Sequence, residues 1–249
     1  MQRYFVSSDQ VIDNQIVIVG DDYHHMVRVM RMNEGDTVIC CDEKGHAALC
    51  EIERISSENL TLRIIKWVEE QRELPVRIYI AHGLPKADKF ELVVQKGTEL
   101  GAFSFIPLLS ARSVVKWEEK KAGKKLDRWK KIAKEAAEQS QRTRIPDIYE
   151  PMTIEQLIEF AKAMDHCVVA YEEEAKQGET SVLRSILCQM KPGESLLVVF
   201  GPEGGFSEHE IRLLHDCGFL LCGLGPRILR TETAPLYVLA AASYEWELR

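Results

Sequence analysis

Gly201-Pro-Glu-Gly-Gly-Phe-Ser-Glu-His-Glu210 decides how the chain is read. Before it runs Leu196-Leu-Val-Val-Phe200, short and apolar, a buried strand. After it, Ser207 and Glu210 have capping-box spacing ahead of Ile211, Leu213 and Leu214, so a helix begins there. The order is strand, glycine turn, helix. Glycines let a backbone approach a ligand closely, and the first N–H groups of a helix are free to donate. A second piece of this kind, Leu224-Gly-Pro-Arg-Ile-Leu-Arg-Thr-Glu-Thr-Ala234, lies between the apolar run Phe219 to Leu224 and a final helical pattern. Two glycine turns at strand ends point to one ligand held mostly by backbone. Spacing alone leaves a structural turn equally open. Neither turn matches Gly-x-Gly-x-x-Gly, and no Lys follows Gly204-Gly205, which argues against triphosphate chemistry. An adenosine-type group in an apolar pocket fits better.

Outward from these turns, strands alternate with helices. Val76 to Ala81, Phe103 to Pro107, Cys167 to Ala170, Leu196 to Phe200 and Phe219 to Leu224 read as strands. Lys86 to Leu100, Trp117 to Gln141, Ile154 to Met164, Ser181 to Met190, Glu208 to Cys217 and Thr233 to Leu248 read as helices, and Glu172-Glu-Glu174 as a polar loop. This is an α/β domain around a mostly parallel sheet, with ligands expected beyond the carboxyl ends of the strands.

Residues 1–70 differ. Gln15 to Val19, Thr37 to Cys41, Ala47 to Ile52 and Leu60 to Ile65 are short β-branched runs separated by turn signals, the pattern of a small barrel. Tyr23 to Arg31 reads as a short helix with Met26, Val27, Val29 and Met30 inward and His24, Arg28 and Arg31 outward. Glu69-Glu-Gln-Arg-Glu-Leu-Pro75 reads as a linker, giving domains 1–70 and 75–249.

The net charge of −7 is unevenly spread. Residues 116–144 carry eleven basic against five acidic residues, while residues 145–249 carry eight against seventeen. Fields act over about a Debye length, ~8–10 Å, so a basic stripe can bind phosphate on an acidic protein. Lys130, Lys131, Lys134, Arg142 and Arg144 are the candidates; a solvated helix face is the alternative. The seven cysteines and the dispersed histidines show no metal spacing, so no metal site is expected and the thiols read as reduced and cytoplasmic. No apolar run approaches the roughly 20 residues of a membrane span, and the first residues lack a signal-peptide core.

The two glycine pieces, in this order, resemble the SPOUT class of knotted methyltransferases. Gln95-Lys-Gly-Thr-Glu-Leu-Gly101, Glu135-Ala-Ala-Glu-Gln-Ser140 with Arg142, and His24-His25 through Arg31 with Gly35-Asp36 extend the likeness over the chain. More closely, it resembles the bacterial ribosomal RNA small subunit methyltransferase E family. The resemblance implies an N-terminal PUA-like β-barrel that binds RNA, then an α/β domain with a C-terminal deep trefoil knot. It implies methylation of N3 of a uridine in 16S ribosomal RNA by S-adenosylmethionine, on the 30S subunit, by a cytoplasmic homodimer joined through the knotted domain. It places the cofactor in three loops: Ala170, Tyr171 and Glu172; Phe200, Gly201, Glu203, Gly204 and Gly205; and Leu224, Gly225, Ile228, Leu229, Arg230, Thr233 and Ala234. Backbone groups of Gly201, Leu224, Ile228 and Leu229 are expected to hold adenine and ribose. Arg230, inside the third loop, is the expected stabiliser of the uracil anion, and Arg3 and Arg31 the expected contacts to the target base or RNA, with His24 and Arg28 beside them. No residue stands out as the base that removes the N3 proton. A ribosome-assembly protein without catalysis, or an enzyme of this class acting on another RNA, are the competing readings.

Overall fold

The computed structural model describes residues 1–113 and 119–249. It divides into two compact units, Met1–Glu73 with Ala137–Ile145, and Leu74–Ala136 with Pro146–Arg249.

Unit 1 is built on one six-stranded sheet. Its strands are β1 (Arg3–Phe5), β2 (Val11–Ile12), β3 (Gln15–Ile18), β4 (Thr37–Cys41), β5 (Ala47–Ile55) and β6 (Leu60–Val68), in spatial order β1-β4-β5-β6-β3-β2. All neighbours are antiparallel except β1 and β4. Alternation puts Ile16 and Ile18, Val38 and Cys40, Cys50 and Ile52, and Leu60, Leu62 and Ile64 into one core with Tyr4 and Met26. Helix α1 (Gly20–His24) starts earlier than the sequence indicates and runs into a wide turn, His25–Val29, closed by Met30 N–H donating to His25 O at 2.8 Å. That widening rotates the face. Met26 is fully buried, but Val29 and Met30, expected inside, are exposed.

Unit 2 holds a seven-stranded, all-parallel sheet: β7 (Arg77–Gly83), β8 (Ser104–Leu109), β9 (Asp147–Ile148), β10 (Met152–Thr153), β11 (His166–Ala170), β12 (Ser195–Phe200) and β13 (Leu220–Cys222). The order is β10-β8-β7-β12-β11-β13, with β9 also on β8. The helices are α2 (Lys89–Glu99), α3 (Glu119–Gln139), α4 (Ile154–Ala161), α5 (Glu172–Lys176), α6 (Val182–Gln189), α7 (Glu208–Asp216) and α8 (Ala234–Ser243). Strand β12 is buried throughout, as its unbroken Leu and Val run requires. Tyr79, Ala81, Ile106, Leu108, Val169, Leu197 and Val199 pack on one side of the sheet against Leu157, Ile211 and Leu214. The expected start of α3 at Trp117 lies outside the described residues. The acidic segment expected as a loop forms the short helix α5, and α8 continues as a wide turn, Tyr244–Leu248.

The register positions the site. His82 of β7, Phe200 of β12, Ala170 of β11 and Cys222 of β13 are side-by-side partners across four adjacent strands. The segments that follow them leave the sheet along one edge.

Candidate active site

Ser207 caps α7 as its spacing requires. Its Oγ accepts from Glu210 N–H at 3.3 Å, and Glu210 Oε2 accepts from Ser207 N–H at 2.8 Å. Glu210 Oε1 also accepts from Ala111 N–H at 2.8 Å, so this one buried carboxylate ties the loop after β8 to the loop after β12. Gly205 adopts φ of 64°, a turn that L side chains rarely make.

The third loop is fixed at both ends. At Gly223 a Cβ would lie 2.5 Å from Glu179 O, so only glycine passes there. Its N–H donates to Glu179 Oε2 at 2.8 Å, while Glu179 Oε1 accepts from Val182 N–H at 2.8 Å. Burial pushes the Glu179 carboxyl up, but the N–H groups of Gly223, Val182 and Ser181 outweigh it and hold its pKa below 4.5. At the other end, Thr231 Oγ donates to Gly201 O at 2.6 Å. The ring nitrogens of buried His82 lie 2.7 Å from Gly83 O and 2.9 Å from Thr231 O, either of which accepts the ring N–H. Burial holds His82 below its ordinary 6.5.

Between these loops lies a cleft of two joined lobes. The larger, about 470 Å³, is polar, with Lys89, Arg112, Glu203, Arg230 and Glu232 on its wall. The smaller, about 130 Å³, is lined by Ala170, Leu224, Gly225, Ile228, Leu229 and Ala234. Ala170, Tyr171, Glu172, Ile228, Leu229 and Ala234 border both. Lys89 Nζ lies 3.1 Å from Glu203 Oε1 and 3.4 Å from Glu232 Oε2. Glu203 also accepts from Lys86 N–H at 3.1 Å. Burial would raise the Glu203 pKa; its own backbone N–H, Lys89 and Lys86 bring it below 4.5. Arg112 Nη1 donates to Gly204 O at 3.2 Å.

Of the residues expected to hold a cofactor, Ala170, Tyr171, Glu172, Phe200, Gly201, Glu203, Gly204, Gly205, Leu224, Gly225, Ile228, Leu229, Arg230 and Ala234 all line this cleft. Thr233 does not. It is exposed, in a turn whose N–H donates to Arg230 O, and its side chain takes no part in the lining. Lys89, Arg112, Thr231 and Glu232 were not singled out. Lys89 and Arg112 follow β7 and β8, so the strand-end rule applied to the whole sheet, instead of to the glycine turns alone, finds them.

The RNA candidates separate by burial. His24, Arg28 and Arg31 are exposed on unit 1. Lys130 and Lys131 are exposed on α3, and Lys134 and Arg144 half-buried. Arg3 and Arg142 correct the expectation. Arg3 is 2 % exposed; its Nη1 donates to Arg142 O at 3.1 Å and to Cys41 Sγ at 3.2 Å, and its Nη2 pairs with Glu70. Arg142, 3 % exposed, pairs with Glu73, which also accepts from Thr143 N–H at 3.0 Å. Both guanidinium groups are buried and paired inside unit 1, although Arg3 Nε has no hydrogen-bond partner among the described residues. At Arg3 the interior of unit 1 selects arginine because its planar fork reaches a carboxylate and a carbonyl at once.

A family model described as an RNA methyltransferase domain matches residues 72–243, and one described as an RNA methyltransferase PUA domain matches residues 18–65. Fold and family together define an RNA methyltransferase with a PUA-type domain ahead of a SPOUT-type α/β domain. Over 251 aligned residues the chain is 53% identical to the ribosomal RNA small subunit methyltransferase E of Bacillus subtilis (strain 168), covering 100% of this chain and 98% of that protein. A crystal structure of the ribosomal RNA small subunit methyltransferase E of Neisseria gonorrhoeae bound to S-adenosyl methionine superposes with a TM-score of 0.86 at 25% identity, covering 99% of this chain and 98% of that one. A Legionella pneumophila structure holding the cofactor SAM gives 0.85 at 29% identity, covering 97% and 96%. The chain belongs to the ribosomal RNA small subunit methyltransferase E family.

Proposed function

We propose that this protein transfers the methyl group of S-adenosylmethionine to N3 of a uridine in the 16S ribosomal RNA of the small subunit. The observation that carries the reading is the meeting of three strand-end loops, after Ala170, Phe200 and Cys222, around one two-lobed cleft. The cleft fits the cofactor. Its smaller lobe offers the aliphatic groups of Leu224, Leu229 and Ala234 to a flat ring, and Ile228, 76 % exposed at the rim, is an apolar side chain such a ring would cover. The larger, polar lobe is then the place for the target base. S-adenosylmethionine arrives with its methyl group activated, so the chain's task is positioning the base in line with it and stabilising the charge that develops.

Arg230 suits the second task. It lines the polar lobe, is exposed, and makes no side-chain hydrogen bond or ion pair among the described residues. Residues 1–70 supply a PUA-like RNA-binding domain, with His24, Arg28 and Arg31 on its surface, and residues 75–249 the catalytic domain, with Lys130, Lys131 and Lys134 on α3. The uridine lies in folded RNA and must be turned out to reach the cleft. The same reading includes the family's deep trefoil knot, with Thr231 held against Gly201 and His82, a homodimer through that domain, the 30S subunit as partner and the cytoplasm as location.

The test is transfer of labelled methyl to small subunits lacking the modification, followed by nucleoside mass spectrometry. The expected product is 3-methyluridine at one site. Label on another atom, or none while RNA binding persists, rejects the reading.

A further inference from the structure

We propose that Glu232 is the group that takes the proton from the reacting nitrogen, acting with Arg230 from the same turn. This rests on the reading above, that the target is uracil N3. Thr231 lies between the two, pinned by its bonds to Gly201 and His82, and Thr233 N–H and Ala234 N–H both donate to Arg230 O, at 2.9 and 3.0 Å. The turn therefore presents a guanidinium and a carboxylate from fixed positions two residues apart, and both line the polar lobe.

Comparison with the other carboxylates around the lobe singles out Glu232. Glu203 already accepts from Lys89 Nζ and, through both oxygens, from Lys86 N–H. Glu172 and Glu173 are turned outward, with side chains 58 % and 45 % exposed, beside Lys176. Glu232 has a side chain only 13 % exposed. Its Oε2 is buried beside Lys89 Nζ, 3.4 Å away, which holds the carboxylate in place and leaves Oε1 as the oxygen that can meet a ligand in the lobe. An unpaired carboxylate oxygen on a cleft wall is satisfied when a ligand supplies the donor. An N–H of a bound base is such a donor.

In the step, the N3–H proton passes to Glu232 Oε1 while the nitrogen pair forms the bond to the methyl carbon. The carbon–sulfur bond breaks with its pair on sulfur, leaving a neutral thioether. Arg230 faces the negative charge that builds on the uracil oxygens. The proton then leaves Glu232 to solvent.

Glu232→Gln keeps the shape and removes the acceptor. The expected result is S-adenosylmethionine affinity within about twofold of wild type by calorimetry, with methyl transfer at neutral pH slower by about a hundredfold, inside the usual range for a general base. The loss should shrink as pH rises. It should also shrink on RNA carrying 5-fluorouridine, whose N3–H is more acidic and needs less help. Glu203→Gln should show neither form of recovery. A Glu232→Gln enzyme at wild-type rate overturns the proposal. So does one impaired equally on uridine and fluorouridine, or one that loses cofactor affinity in step with rate, which makes the residue a structural partner of Lys89. A wild-type enzyme that methylates an atom other than N3 overturns the reading beneath the proposal, and that result is separate from any variant.

Discussion

Arg142 and Arg230 both stand in sequence motifs of the same likeness, yet they do opposite things. Arg142, in unit 1, is 3 % exposed and paired with Glu73. Arg230, in unit 2, is exposed on the wall of a cleft and pairs with nothing among the described residues. Arg3 falls with Arg142. A buried guanidinium paired with a carboxylate stabilises its unit; one facing an open cleft is available to a ligand. Residue type and motif membership do not separate the two cases. Burial and partners do.

The comparison is broken most readily by swapping the expected effects. Arg142→Ala should lower unfolding stability by about 3 kcal/mol, the low end for breaking a buried pair because Glu73 keeps some solvent contact. Chemical denaturation reads this, and a loss below about 1 kcal/mol would return Arg142 to the RNA-contact candidates. Arg230→Ala should leave the denaturation midpoint in place and reduce turnover about a hundredfold, as removal of one stabilising donor does elsewhere. Its cofactor affinity should change far less; equal losses in turnover and affinity would make it a cofactor contact.

A smaller effect sharpens the contrast from the surface side. Replacing Lys130, Lys131 and Lys134 with Ala should weaken RNA binding and make its logarithmic salt slope shallower by roughly two. An unchanged slope makes that face of α3 a solvated surface. The smallest effect concerns pH. Glu179 and Glu203 are both held below 4.5 in the folded protein. Folded pKa values below the unfolded ones add stability above about pH 4.5, and that stability is lost as pH falls through the folded values. Denaturation midpoints should therefore decline below pH 4.5, and Glu179→Gln should flatten that decline.

Much of this was legible in the sequence for a physical reason. A parallel sheet buries its strands on both faces, so Leu196 to Phe200 is unbroken apolar sequence, and the Ser207–Glu210 capping box marks the start of α7. Strand ends of such a sheet collect ligand loops, and fourteen of the fifteen cofactor residues that the family resemblance implied line one cleft there. What was not legible depends on distant partners. Strands of two or three residues such as β1, β2, β9 and β10 are too short to show a period. Arg3 reads as a surface cation until Glu70 and Arg142 O, the latter 139 residues away, are seen around it. Segment Ala137–Ile145 belongs to unit 1 through contacts that no local pattern encodes. Glu232 reads as an ordinary polar residue until the bonds of Thr231 turn it into the cleft.

Amide hydrogen exchange with and without S-adenosylmethionine tests the central claim most directly. Protection should rise together in residues 170–172, 200–205 and 224–234, and stay unchanged in the sheet of unit 1. Protection confined to one of the three segments, or centred elsewhere, would contradict a single cleft shared by the three loops.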